Sequence, residues 1–357
     1  MHLSPEFGLT VKDIEADGFE IAERIETMIS SDTPEGIAKS TGLGVIGFAQ
    51  YLAGCRPDIL VTLGDRFEMF ASALAALPFK IPVAHIHGGE VTEGAIDDAL
   101  RHSMTKLCHL HFVSTQEYGR RVVQMGEEPW RVTVSGAPSL DNLSSLRLFD
   151  KQEIKAKYGL DMNRATLLVT YHPVTLEYET TSWQIDELLA ALHRLDMPVI
   201  FTLANADTSG RTIIRKIEEY KAVHDNARMV NNMGTQGYFS VMAQAAAMVG
   251  NSSSGIIESP SFRLPVVNIG ARQQGRVRAQ NVIDVGYGQE EIMEGIKTAI
   301  SPKFRESLWS LVNPYGCGGA SDEIVKRLKE VVLDDRLITK RFHNLKVASP
   351  LLEWRAG

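Results

Sequence analysis

The chain has 357 residues, of which 44% are hydrophobic and 23% charged, and a formal net charge of −7; that length accommodates two domains of an ordinary globular protein. The acidic balance, without any Lys/Arg-rich block, excludes the basic stripe of a nucleic-acid binder, and no apolar run approaches the roughly 20 residues of a membrane span. Cys55, Cys108 and Cys317 are far apart with no CxxC spacing and read as reduced cytosolic thiols; the start MHLSPEFG has neither region of a signal peptide, so a cytoplasmic location is expected.

The predicted elements alternate. In chain order they are a weak strand at 21–26, helix 36–52, strand 59–63, helix 66–76, strand 83–86, helix 95–107, strand 111–114, helix 115–125 and strand 132–134. Periodicity then lapses over 136–150. Strand 167–170 follows, then helix 183–195, strand 199–203, helix 208–221, strand 227–230, helix 235–246, strands 248–250 and 266–269, and helix 322–334. Repeated strand–helix–strand alternation means parallel sheets covered by helices on both faces. The expected division is a Rossmann-like domain over 1–148, a second over 149–320, and a helix with tail over 321–357 crossing back to the first. The stretch after Arg336 carries no interpretable motif.

Parallel sheets keep their active crevice at the carboxyl ends of the strands. Those exits are polar or glycine: Gly64, Asp65 and Arg66; His87, Gly88, Gly89 and Glu90; Gly136; His172 and Pro173; Asn205; Asn251 to Gly255; and Gly270 to Arg272. Two facing sets of exits describe a cleft between domains. The segment 64–102 is the densest, holding Asp65, Arg66, Glu68, His85, His87, Glu90, Glu93, Asp97, Asp98, Arg101 and His102. On a helix Asp97 and Arg101 share a face, as do Asp98 and His102. Such pairs serve helix stability, or else supply the base, acid and charge clamp that proton transfer at a sugar carbon needs. The HIH spacing at 85–87 lacks a third ligand motif, so no metal is expected.

In the second half, GNSSSGIIE (250–258) follows an apolar strand. Free N–H groups at a helix start, with serine hydroxyls beside them, suit phosphate; an N-cap loop satisfied by its own serines is the alternative. Glu258 could accept from a ribose diol or simply occupy a first helical turn. Pro173 bends the chain out of its strand and would aim His172 at the cleft; a structural histidine is the alternative. Arg272 and Arg276 suit a diphosphate or a uracil-proximal loop, or are solvated.

Taken together, GDRFE (64–68), HIHGGEVTEGAIDDALRHSMTKL (85–107), GAPSLD (136–141), HPVT (172–175), GNSSSGIIE (250–258) and VNIGARQQGR (267–276) resemble the hydrolysing UDP-N-acetylglucosamine 2-epimerase family, which makes N-acetylmannosamine for sialic acid-type sugars. The resemblance spans 58–319 and implies a GT-B architecture: two Rossmann-like domains with UDP in the interdomain cleft. It implies that Ser252, Ser253 and Glu258 bind diphosphate and ribose, with Arg272 and Asn205 lining the same cleft. His172 would stabilise the departing UDP. Asp65, Glu90 and Asp97 would be acid and base groups around the sugar, oriented by Arg66, His85 and Arg101. The implied reaction removes UDP and the C2 proton to give a 2-acetamidoglucal, then adds water with inversion at C2. It uses no nicotinamide, metal or other cofactor. A homodimer or homotetramer is implied.

The chain departs from the family pattern in places. Some relatives carry HIEGGE where this chain has HIHGGE, which leaves the C2 base open among Glu90, His87 and Asp97. The loop VTEGAIDD is longer by one residue, which suits the bacterial subgroup whose members include enzymes for UDP-2,4-diacetamido-2,4,6-trideoxyhexose. That substrate is the alternative to UDP-N-acetylglucosamine. The family's opening strand, basic loop, helix and strand do not precede Met1, so the first domain is expected to lack a unit of on the order of 40 residues. The competing readings are a non-hydrolysing 2-epimerase, against which the long loop speaks, a GT-B glycosyltransferase, and an inactive UDP-sugar-binding module.

Overall fold

The computed structural model describes residues 2–5, 8–29, 31, 33–203 and 209–345. Its elements in chain order are α1 (Val11–Ala16), α2 (Pro34–Gly54), β1 (Leu60–Leu63), α3 (Phe67–Ala76), β2 (Val83–Ile86), α4 (Asp97–Leu107), β3 (Leu110–Val113), α5 (Gln116–Gln124), β4 (Val132–Val134), α6 (Asn142–Ser145), α7 (Lys151–Tyr158) and β5 (Leu167–Thr170). They continue as α8 (Thr181–Leu195), β6 (Val199–Thr202), α9 (Gly210–Val223), β7 (Ala227–Val230), α10 (Gly234–Gln244), β8 (Ala247–Gly250), α11 (Ser254–Ile257), β9 (Val266–Ile269), β10 (Val282–Val285), α12 (Gln289–Ile300), α13 (Pro302–Ser307), α14 (Ala320–Glu330) and α15 (Asp335–Ile338).

The strands form two sheets, ordered β1-β2-β3-β4 and β10-β9-β8-β5-β6-β7, and each pairing is parallel. This is a two-domain α/β architecture. All four residues of β3, β5, β8 and β9 are buried, as parallel strands covered on both faces must be. In the second sheet alternate residues feed opposite layers. Leu167, Val169, Phe201 and Val249 pack on Ile185 and Leu188 of α8 and Ile292 and Ile296 of α12. Leu168, Ile200, Met248 and Val266 pack on Ile154 of α7 and Phe239 and Val241 of α10. In the first sheet Val83 meets Leu52 of α2, Ala73 of α3 and Met104 of α4, and Ala84, Leu110 and Phe112 meet Ile324 of α14 and Leu337 of α15.

The tail is fastened through backbone carbonyls. Buried Arg131 donates to the carbonyls of Arg336 (2.8 Å), Leu337 (2.8 Å) and Thr339 (3.1 Å). Lys340 donates to the carbonyls of Lys106 (2.9 Å) and Cys108 (2.6 Å) at the end of α4, and pairs with buried Glu127 at 2.8 Å.

Residues 21–26 form no strand. They run along α2, with Ile25 against Gly47 and the Ile29 N–H donating to Ser40 Oγ at 3.2 Å. Their alternation is met by a helix groove rather than a ladder. β1 is accordingly a sheet edge, with Val61 and Leu63 exposed. The strand β10 and helices α7 and α12 add to the expected elements; β10 is half-buried at one edge of the six-stranded sheet, so its pattern is weak. No helix among the described residues is long and apolar enough to cross a membrane.

Candidate active site

The exits of β1 and β2 build one wall. His85, inside β2, is fully buried and lies 2.7 Å from the Gly64 carbonyl oxygen through Nε2. Burial pushes its pKa down to about 4, so the ring is neutral and donates Nε2–H to Gly64. It steadies the turn that carries Asp65 and Arg66 from behind. A side chain with no exposed surface supports the wall from behind rather than lining it.

The next turn is sharper. His87 has φ +69°, a left-handed conformation costing roughly 1–2 kcal/mol for a side-chain-bearing residue. Gly89 has φ +75°, and a Cβ there would fall 2.5 Å from the Tyr118 carbonyl oxygen, so only glycine fits. The turn brings His87 Nδ1 to 2.6 Å from Glu90 Oε1. Glu90 is buried; its Oε1 also accepts from Ser114 Oγ at 2.9 Å, and its Oε2 lies 3.0 Å from Arg276 Nη1. Burial by itself disfavours the carboxylate, but Arg276 and His87 outweigh it and hold the Glu90 pKa down at about 2.

Arg101 of α4 is 1% exposed and pairs with Asp65. It also donates to the Glu90 carbonyl (3.0 Å) and Thr92 Oγ1 (2.9 Å). At this depth Arg101, like His85, braces the wall from behind. The expected helix-face pairing is only half of the picture, since Arg101 reaches off its helix to Asp65 and lies 3.8 Å from Asp98. Asp98 accepts from the Thr92 N–H at 2.7 Å and stands 3.5 Å from His102. Asp97, the first residue of α4, is half-buried, and Arg66 stands 3.4 Å from Glu68.

The opposite wall is organised by Asn251. Its Oδ1 accepts from the His172 N–H at 2.7 Å and its Nδ2 donates to the His172 carbonyl at 2.8 Å. Its own carbonyl accepts from Arg272 Nη1 (3.1 Å) and Gln273 Nε2 (2.8 Å). One buried amide thus ties the exits of β5, β8 and β9 together. Glu258 accepts from Ser139 Oγ at 2.6 Å, and burial raises its pKa. Glu258, Ser139, Ser254, Asn142, Thr202 and Tyr238 line a cavity of about 360 Å³. A larger hollow, about 470 Å³, lies among 2–29 and α2, away from most strand exits. α11 is a single turn of four residues, so its dipole is small; the expected helix-terminus phosphate site is corrected to a serine-bearing loop, with Ser252 and Ser253 half-exposed on it. Asn205 lies outside the described residues.

The walls meet. Arg276 Nε donates to the Val91 carbonyl at 3.2 Å, the Glu93 N–H to the Gln274 carbonyl at 3.3 Å, and the Ile96 N–H to Thr175 Oγ1 at 2.9 Å. A Cβ on Gly94 would sit 2.8 Å from the Ala271 backbone, so the 90–96 loop is seated on the second domain. Burial and then Arg276 disfavour the charge on Arg101, as does Arg272. Arg272 and Arg276 bring positive charge to the cleft in front of buried Arg101, a field that suits an anionic diphosphate. No group of three or more His, Cys, Asp or Glu among the described residues is arranged to hold a metal ion.

Ser114 is a side chain of the site that the sequence reading does not name, while Arg276 and Asn251, named there as an anion candidate and as a strand exit, turn out to hold Glu90 and the facing exits in place. The exit of β3, where Ser114 stands, carries the same signal as the other exits. Arg276 becomes distinguishable from a solvated arginine only when the loop after β9 closes on Glu90.

A family model described as UDP-N-acetylglucosamine 2-epimerase matches residues 1–329. The chain is 39% identical to the GDP/UDP-N,N'-diacetylbacillosamine 2-epimerase (hydrolyzing) of Campylobacter jejuni, over 96% of this chain and 89% of that one. It is 36% identical to the UDP-N,N'-diacetylbacillosamine 2-epimerase (hydrolyzing) of Legionella pneumophila, over 95% and 89%. Its fold matches that of the UDP-GlcNAc 2-epimerase from Neisseria meningitidis bound to UDP-GlcNAc, with a TM-score of 0.78 at 21% identity, over 91% and 89% of the two chains.

Proposed function

The chain belongs to the UDP-N-acetylglucosamine 2-epimerase family, and from that premise we propose that it is a hydrolysing 2-epimerase acting on a UDP-2,4-diacetamido-2,4,6-trideoxyhexose. The observation that carries the reaction is the convergence, in one cleft, of the His87–Glu90 pair with guanidinium groups from the facing domain. Departure of UDP places negative charge on the diphosphate, which Arg272, Arg276 and His172 are placed to stabilise. Ser252, Ser253 and Glu258 hold phosphate and ribose. Loss of the C2 proton gives the 2-acetamidoglucal, and water then adds to give the free C2-inverted sugar. Asp65 and Asp97, with His87 and Glu90, are the proton-transfer candidates. This reading keeps the domain division 1–148, 149–320 and 321–357.

The choice of sugar rests on the two relatives named for diacetylbacillosamine, a 2,4-diacetamido-2,4,6-trideoxyhexose. They favour that substrate over UDP-N-acetylglucosamine. The test is to give purified protein both UDP-sugars in parallel, quantify UDP and identify the sugar by NMR. The diacetamido substrate should be preferred by about tenfold or more in kcat/KM, the scale of one or two altered pocket contacts. Preference for UDP-N-acetylglucosamine would refute the substrate; a product still attached to UDP would refute hydrolysis.

A further inference from the structure

His87 stands at a position where the backbone is costly. A left-handed turn on a histidine is retained where the surrounding structure enforces it, commonly at a functional site. The enforcement here is Glu90, whose two oxygens are both engaged: Oε1 by His87 and Ser114, Oε2 by Arg276. An ionised carboxylate only accepts, so the neutral imidazole carries its proton on Nδ1 and its lone pair on Nε2. The ring is 16% exposed, against 2% for the Glu90 side chain. The charged or titratable groups facing it are Glu90 on its own turn, His85 from β2, Glu258 from the end of α11 in the other domain, and Arg276 beyond Glu90. His87 therefore looks across the interdomain space.

We propose that His87 Nε2 is the base that takes the C2 proton and that Glu90 is its positioning carboxylate, not a base; this rests on the 2-epimerase reading above. As Nε2 bonds to the C2 proton, the C2–H electron pair becomes the C1–C2 double bond. The C1–O bond breaks with its pair leaving on UDP. The imidazolium formed is paired with Glu90 and later returns its proton to solvent. Glu90 suits the base role poorly, since a carboxylate held near a pKa of about 2 has little proton affinity at neutral pH. Inversion at C2 requires a different group to deliver a proton on the opposite face, for which Asp65 and Asp97, on other elements, remain.

The experiment compares wild type, His87→Asn and Glu90→Gln in UDP release from the diacetamido sugar nucleotide across pH 5–9. Asparagine is chosen at 87 because it tolerates the left-handed backbone. His87→Asn should lose about 10²–10⁴-fold in kcat, the usual yield of a general base, together with the ascending limb of the pH profile. Glu90→Gln should keep that limb but move it to lower pH, because removing the anion disfavours the imidazolium. In wild type, ¹⁵N-histidine NMR should show the His87 ring, assigned by its loss in His87→Asn, as the Nδ1–H tautomer. If His87→Asn keeps more than about a tenth of wild-type UDP release, or the neutral ring is the Nε2–H tautomer, the proposal is overturned. Wild-type protein that releases UDP from neither sugar overturns the epimerase reading instead, and the tautomer still decides the dyad.

Discussion

Replacing Arg276 with methionine removes the countercharge of a fully buried carboxylate while keeping most of the side-chain volume. Arg276 Nη1 lies 3.0 Å from Glu90 Oε2, and it is the foremost of the groups that pull the Glu90 pKa down against burial, from 4.5 to about 2. At about 1.4 kcal/mol per pH unit, that depression corresponds to about 3 kcal/mol of stability near neutral pH. The sign follows from the folded pKa lying below the unfolded one. The contribution is complete above pH 4.5 and is lost as pH falls towards 2. Without Arg276, burial acts unopposed by its chief rival, and a folded pKa above the unfolded one would turn the contribution into a penalty. Arg276→Met should therefore lower stability by about 3 kcal/mol or more near pH 7, in line with the cost of breaking a buried ion pair. The deficit should shrink by about 2 kcal/mol at about pH 3, where wild type has lost most of its own advantage. Urea unfolding followed by tryptophan fluorescence at the two pH values measures both. A deficit below about 1 kcal/mol near pH 7, or one that does not change with pH, would refute the assignment of the Glu90 pKa to this pair.

Two further outcomes follow from single side chains. Asn251→Ala leaves the buried N–H and carbonyl of His172 without their partner; at roughly 1–3 kcal/mol per orphaned group, stability should fall by about 2–4 kcal/mol, with weaker UDP binding by calorimetry, and unchanged UDP affinity would remove Asn251 from the cleft's framework. Arg131→Met strips three tail carbonyls of a buried donor, so proteolytic cleavage within 335–345 should accelerate while kcat/KM changes by less than about twofold, since exposed, unfastened termini are where proteases act.

The candidate wall was legible because parallel sheets advertise their exits. Polar residues and glycines directly after short apolar runs marked Asp65, His87, Glu90, His172 and Asn251 without any coordinates. Composition at those positions did not separate ligand contacts from supports. His85 and Arg101 look like site residues in the sequence, yet both are buried behind the wall, and their depth depends on how β2 and α4 pack. The strand expected at 21–26 has the right alternation, but the partner it meets is the groove of α2, which no local pattern encodes. Arg131 and Lys340 illustrate the same limit for the tail. Their donors find backbone carbonyls more than 200 positions away in sequence, and a carbonyl has no residue type to recognise.

The placement of Arg276 has a consequence for the order of events. Glu90 belongs to the first sheet's exits and Arg276 to the second's, so the largest of the influences that lower the Glu90 pKa is in place only while the 90–96 loop is seated on the loop after β9. Separation of the domains would leave Glu90 with His87 and Ser114 alone. Without that guanidinium the carboxylate form, and with it the acceptor that fixes the His87 tautomer, is less favoured. The same contacts that close the cleft thus support the state of the His87–Glu90 pair that the proposed base needs. On the proposed reading, a base assembled by closure would act only on an enclosed sugar, as a glycal intermediate that must meet one water from one face would require.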